Sequence, residues 1–97
     1  MDIPFLEINL SKGGWNMDTR IAIISIILDN PKSVMPLNQL LHDSREFIIG
    51  RMGIPYKKND INLISVAIDA PEDAINALTG KIGKLDGVTA KTVYSKI

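Results

Sequence analysis

Ninety-seven residues, 45% of them hydrophobic, can bury one core and are too few for two, so the sequence reads as a single domain. Eleven Lys plus Arg against 11 Asp plus Glu, with no run of like charge, give no sign of the broad basic surface that non-specific nucleic-acid binding requires, which disfavours DNA binding by this chain alone. The lack of cysteine removes disulfides, thiolate nucleophiles and cysteine-held iron–sulfur clusters together, and it suits a reducing, cytoplasmic setting.

Residues 1–16 differ in character from the rest of the chain. Ile3, Phe5, Leu6 and Ile8 alternate only weakly before Lys12-Gly13-Gly14 breaks the pattern, so this segment reads as an appendage. Lys12 to Met17 back-translate to include a purine-rich GGAGG a few bases ahead of the Met17 codon, which makes Met17 a candidate start, a native extension being the alternative. No basic region precedes an apolar run and no small-residue cleavage site comes after one, so no export signal is expected.

The domain proper is read over residues 17–97. Ile21 to Leu28 are apolar and largely β-branched at both parities, as in a central strand covered on both faces; the run is too short to cross a bilayer. Asp29-Asn30-Pro31 breaks the strand. Val34, Leu37 and Leu41 then recur at helical spacing through Asp43, with Asn30 or Ser33 as cap and Pro36 tolerated in the first turn.

Phe47 to Ile54 form a second strand whose two glycines point to a bulge or a close backbone approach, and Pro55 is expected to end it. After the polar turn Tyr56 to Asp60 comes a third strand, Ile61 to Asp69. There Ile64, Val66 and Ile68 share one face and Leu63, Ser65 and Ala67 the other. Pro71 at the first helical position, with Glu72 and Asp73 behind it, opens a second helix whose buried stripe is Ile75, Leu78, Ile82 and Leu85. Gly80 within this helix is expected to permit close packing against the sheet or another subunit. Gly83 stops the helix, Asp86-Gly87 turns the chain, and Val88 to Tyr94 form the last strand.

The order β-α-β-β-α-β is that of an α+β, ferredoxin-like fold: a four-stranded antiparallel sheet with two helices on one face. The other face is left bare. Because its central strands are apolar at both parities, a homo-oligomer, dimer or tetramer, is expected to cover it. The alternative is that residues 1–16 fold over it with Phe5, Leu6 and Trp15.

Several stretches carry a family resemblance: Ile48-Ile49-Gly50-Arg51-Met52-Gly53-Ile54-Pro55-Tyr56, Ala77-Leu78-Thr79-Gly80-Lys81-Ile82-Gly83, Gly87-Val88, and Lys91-Thr92-Val93-Tyr94-Ser95-Lys96. Through them the chain resembles short ACT-like proteins assigned as regulators of the iron-only hydrogenase system, related in fold to the C-terminal domain of nickel-responsive repressors. The Leu85-Asp86-Gly87-Val88 turn is also similar to the general ACT pattern. The resemblance implies a small oligomeric protein that senses an effector or binds a partner. Amino-acid-binding ACT domains carry an Asp-x-Pro-Gly-like turn after the first strand; here it reads Asp29-Asn30-Pro31-Lys32, without the glycine. The histidines, cysteine and DNA-binding segment of the nickel repressors have no counterpart.

Among individual residues, Gly50-Arg51-Met52-Gly53 is the leading candidate effector site, with Asp29 and Asn30 of the turn beside it. Arg51 can meet an anionic effector through its planar fork of donors, or pair with a carboxylate across a subunit interface. His42, the single histidine, is read as a structural residue near a helix end; alone it makes no metal site. Ser25 and Ser65 have no histidine in evident relation to them, and no catalytic triad or carboxylate pair is recognisable. Lys81, Lys84, Lys91 and Lys96 and the 56–60 turn read as solvated surface. The expectation is a non-enzymatic, cytoplasmic regulator that uses no cofactor, metal or membrane. A ligand-free docking module for a maturation enzyme or regulator, and a DNA-binding transcriptional regulator, are the alternatives.

Overall fold

The computed structural model describes residues 6–8 and 18–96. Among them the chain forms β1 (Leu6–Ile8), β2 (Arg20–Leu28), α1 (Val34–Asp43), β3 (Ile48–Tyr56), β4 (Ile61–Ala70), α2 (Glu72–Gly83) and β5 (Val88–Tyr94). The strands make one five-stranded sheet in the order β1-β3-β4-β2-β5, every neighbouring pair antiparallel. From β2 onward this is the ferredoxin-like βαββαβ arrangement, with the two longest apolar strands, β2 and β4, at its centre.

The core follows from strand parity. Ala22, Ile24, Ile26 and Leu28 on β2, and Ile64, Val66, Ile68 and Ala70 on β4, are buried against Leu37 and Leu41 of α1 and Ile75, Leu78 and Ile82 of α2. Each of the larger side chains contributes about 1.5–3 kcal/mol by leaving water. Both helices pack into this one cluster and so cover the same sheet face. The expectation that β2 is covered on both faces fails within the protomer, since Ile21, Ile23 and Ile27 remain exposed.

The loops bind the ends of the layers together. Pro31–Ser33 make a 3-10 turn ahead of α1, and the Asn30 side chain caps it by accepting from the Lys32 amide at 3.0 Å. The other end of that side chain donates to Asp86 Oδ2 at 2.8 Å, Ser33 Oγ donates to the Asp86 carbonyl, and the Asp29 amide donates to the Gly87 carbonyl at 2.7 Å. Thr79 on α2 shares a hydroxyl hydrogen bond of 2.7 Å with Thr92 on β5.

Several boundaries differ from those read in the sequence. Pro55 lies inside β3, not at its end, because it sits on the outer edge of the sheet, where a missing N–H breaks no ladder. Pro71 is the N-cap of α2, with the acidic pair Glu72 and Asp73 opening the helix itself. Gly80 is exposed, and nothing within the protomer lies within 4 Å of where a Cβ would stand, so it does not serve packing against the sheet. The sheet also gains a strand: Leu6 to Ile8, from the segment read as an appendage, pair with Met52 to Gly50. Leu6 therefore extends the sheet at its edge; Phe5, Trp15 and the candidate start Met17 lie outside the described residues.

Candidate functional site

The glycine pair in β3 does mark a bulge. Ile48 stands opposite Ile68 and Gly50 opposite Ala67, so Ile49 is an extra residue in the ladder. Side chains alternate along a strand, and one inserted residue exchanges the faces of all later positions. Arg51 and Gly53 consequently share the helix side with Val66 and Ile64, while Gly50, Met52 and Ile54 join Ala67, Ser65 and Leu63 on the open side.

On the helix side Arg51 enters a cleft between α1 and β3 with a volume of about 370 Å³. The α1 wall supplies Asn38, Leu41, His42 and Arg45, whose spacing puts them on one face of the helix and its C-terminal extension. Ile48, Gly50 and Arg51 form the β3 wall, and Ile8 lies at the rim. Arg51 Nη1 donates to Asn38 Oδ1 at 3.2 Å. Arg45 Nη1 donates to the His42 carbonyl at 3.0 Å, closing the end of α1, and stands 3.3 Å from His42 Nε2. A guanidinium has no acceptor, so in any hydrogen bond there Arg45 is the donor. Asp43 faces elsewhere and accepts from Gln39 at 2.8 Å.

The open side is apolar over most of its breadth. Leu6, Ile8, Met52, Ile54, Leu63, Ile21, Ile23, Ile27 and Val93 are each exposed, from 39% at Met52 and Leu63 to 65% at Val93. Small side chains in the middle, Gly50, Ala67 and Ser65, lie between taller neighbours and leave a shallow trough of about 350 Å³. Gly50 and Arg51 border both this trough and the cleft behind the sheet.

The structure thus divides the sequence-derived candidates. Gly50 and Arg51 meet in the cleft, Met52 faces the open side, and Gly53 is buried beneath the helices. Asp29 and Asn30 are not brought to them: they lie five and six residues beyond Ile24, the β2 residue level with Arg51, and two strands across. Ordinary strand spacings make that roughly 19 Å. Both are engaged with the Asp86-Gly87 turn instead. Asn38 and Arg45 were missed; their i, i+7 relation, with His42 between them, is the periodic signal that points to them.

A second polar cluster closes the sheet's other edge. Arg20 pairs with Glu72 at 3.0 Å, stacks over the Tyr94 ring at 4.2 Å, and donates to the Ser95 carbonyl at 3.3 Å, while Tyr94 donates to Asn76. Burial, reinforced by the Glu72 carboxylate and opposed by Arg20, raises the Tyr94 phenol above its usual pKa. Among the described residues no group of three or more histidines and carboxylates is placed to hold a metal ion, and no helix is long and apolar enough to cross a membrane.

A layer of this kind, with two helices on one face of an antiparallel sheet and the other face open, defines a small α+β domain of the ferredoxin-like class. Comparison narrows this to a family. The TM1266-like family model, described as "Iron-only hydrogenase system regulator, putative", matches residues 20–92, and the chain belongs to that family. Among solved structures it is similar to the uncharacterized protein TM1266 from Thermotoga maritima, at 35% identity and a TM-score of 0.78, over 80% of this chain and 99% of that one. It is also similar, at 11% identity and a TM-score of 0.57, to a formyltetrahydrofolate deformylase from Pseudomonas putida KT2440, matching 75% of this chain and 28% of that one; that likeness is of fold alone. A comparison with curated proteins gave no match.

Proposed function

We propose that this chain is a non-enzymatic, cytoplasmic, ACT-like regulator of an iron-only hydrogenase system, which assembles through the open face of its sheet and responds to a small effector. The carrying observation is that apolar face: an antiparallel sheet side facing water ordinarily alternates toward polar residues, and a monomer seldom exposes so many large aliphatic side chains together. A second copy of the same face is the economical cover, through a two-fold contact in which each residue set meets itself. The family description supports the hydrogenase connection.

The placement of β3 supports the effector. Arg51 projects into the cleft while its neighbours Gly50 and Met52 stand in the face proposed to be the interface. A ligand that draws on Arg51 therefore acts on a strand whose reverse side bears the contact, and binding one assembly state better than the other shifts the population between them. The same open face favours a second reading, docking of a maturation enzyme or another regulator without any ligand.

Native mass spectrometry of the full chain, purified gently from its own host, tests the proposal. A defined oligomer carrying an added small-molecule mass is expected. A ligand-free oligomer retaining another protein favours the docking module, and a ligand-free monomer removes both assembly and sensing.

A further inference from the structure

Resting on the reading above that copies of the chain meet through the open face, the relief of that face fixes how they meet. Strand register sets its side chains in cross-strand rows. In the order β3-β4-β2-β5, one row reads Gly50, Ala67, Ile23, Val93, so its β3–β4 half is low and its β2–β5 half is high. The low half is the trough of about 350 Å³, and the high half is a ridge in which Ile23 and Val93 are 45% and 65% exposed. The next row reads Met52, Ser65, Ser25, Lys91, two short hydroxyls between two long side chains. These two rows flank Ile24, the midpoint of β2. In the third row Leu63 and Ile27 stand equally tall, and it favours neither half.

Two such faces related by a two-fold can stack in two ways. With the axis across the strands, β3 lies over β3 and β5 over β5, so trough opposes trough, ridge opposes ridge, and both Lys91 ammonium groups come to one flank. With the axis along the strands, the strand order of one copy runs opposite to that of the other. We propose that the open face binds a second copy of this chain in the latter way, about an axis between β4 and β2. Val93 and Ile23 of each copy then enter the trough of the other, over Gly50 and Ala67. The Ser25 and Ser65 hydroxyls of both copies converge at the axis, so polar groups face polar groups. The stem of Lys91 lies along Met52 of the opposite copy, its ammonium reaches water at the rim, and the two ammonium groups stand on opposite flanks. Aligned sheets pack about 10 Å apart and cross at roughly 30°, which near the axis keeps these pairs together. A face whose high half complements its own low half fits its own copy better than an unrelated partner.

Met52 and Lys91 supply the test, because within one chain they stand three strands apart, roughly 14 Å, and in the proposed pair they meet between copies. Both are exposed and outside the core, so substituting them leaves the fold intact. The full chain is followed by native mass spectrometry and by light scattering over a dilution series. Met52→Lys is expected to weaken association at least about tenfold, since it sets two ammonium groups together at each rim. Adding Lys91→Glu is expected to bring association back to within about threefold of native. Adding Lys81→Glu on α2 instead gives the same net charge and is expected to restore nothing. Failure of Lys91→Glu to rescue, or equal rescue by Lys81→Glu, overturns the arrangement along the strands. Ile23→Glu separates that failure from failure of the reading beneath it. If Ile23→Glu dissociates the assembly while the rescue fails, the open face is the interface and the axis is wrong. An assembly that Ile23→Glu leaves intact, or a native chain monomeric at every concentration, overturns both.

Discussion

Two glycines show how far apart the same residue type can stand. Gly80 occupies an exposed position inside α2 with open space where a Cβ would go, so Gly80→Ala is expected to raise stability by about 0.5–1 kcal/mol, read as a higher urea midpoint at unchanged slope. Gly87 has φ +71°, and a Cβ there would meet the Asn30 Cβ at 2.7 Å. Left-handed backbone alone costs an alanine roughly 1–2 kcal/mol, and the contact adds to it, so Gly87→Ala is expected to lower the same midpoint. Tyr94 supplies a pH dependence. Its folded-state pKa lies above the usual tyrosine value, so the folded protein holds the phenolic proton longer than the unfolded chain does. The resulting stability is complete below the ordinary tyrosine range and disappears as pH climbs through the raised value. Thermal melts across alkaline pH should show this loss in the native protein and a shallower one in Tyr94→Phe.

At the scale of elements, the loop after β2 acts as a fastener. Asn30 caps the 3-10 turn with its oxygen and holds Asp86 with its nitrogen, so Asn30→Ala is expected to cost about 1 kcal/mol in chemical denaturation and leave the α1–β3 cleft unchanged. The sequence made most of the layer legible, because long strands and amphipathic helices announce themselves by period: the parity of Ile64, Val66 and Ile68 and the extent of β5 are as read. It hid what depends on partners in space. The glycines announce a bulge in β3, but its place at Ile49, which reverses the facing of Arg51, is not readable from period. Arg45 lies past the end of α1, so only its i, i+7 relation to Asn38 points to it. β1 is too short, and too weakly alternating, to be distinguished from a tail.

For the whole molecule, the asymmetry of the layer is the governing property: helices on one side, exposed aliphatic side chains on the other. Ile23 lies between Ala67 and Val93 on that exposed side, is 45% exposed and stands outside the buried core. Ile23→Glu should therefore leave the far-ultraviolet spectrum intact while light scattering reports a monomer in place of the proposed oligomer, the charge being costly only where it is desolvated. The sheet also has two flanks, and they are unequal. On one, Leu6 to Ile8 occupy the hydrogen-bonding groups of β3 beside Gly50 to Met52, and Pro55 offers no N–H further along. On the other, β5 ends the sheet with its outer groups unpaired by any described strand. A fibre grown by strand addition needs two receptive flanks on every molecule; where three residues of the leading segment already occupy Gly50 to Met52, any lateral pairing through β5 would have to stop at two copies.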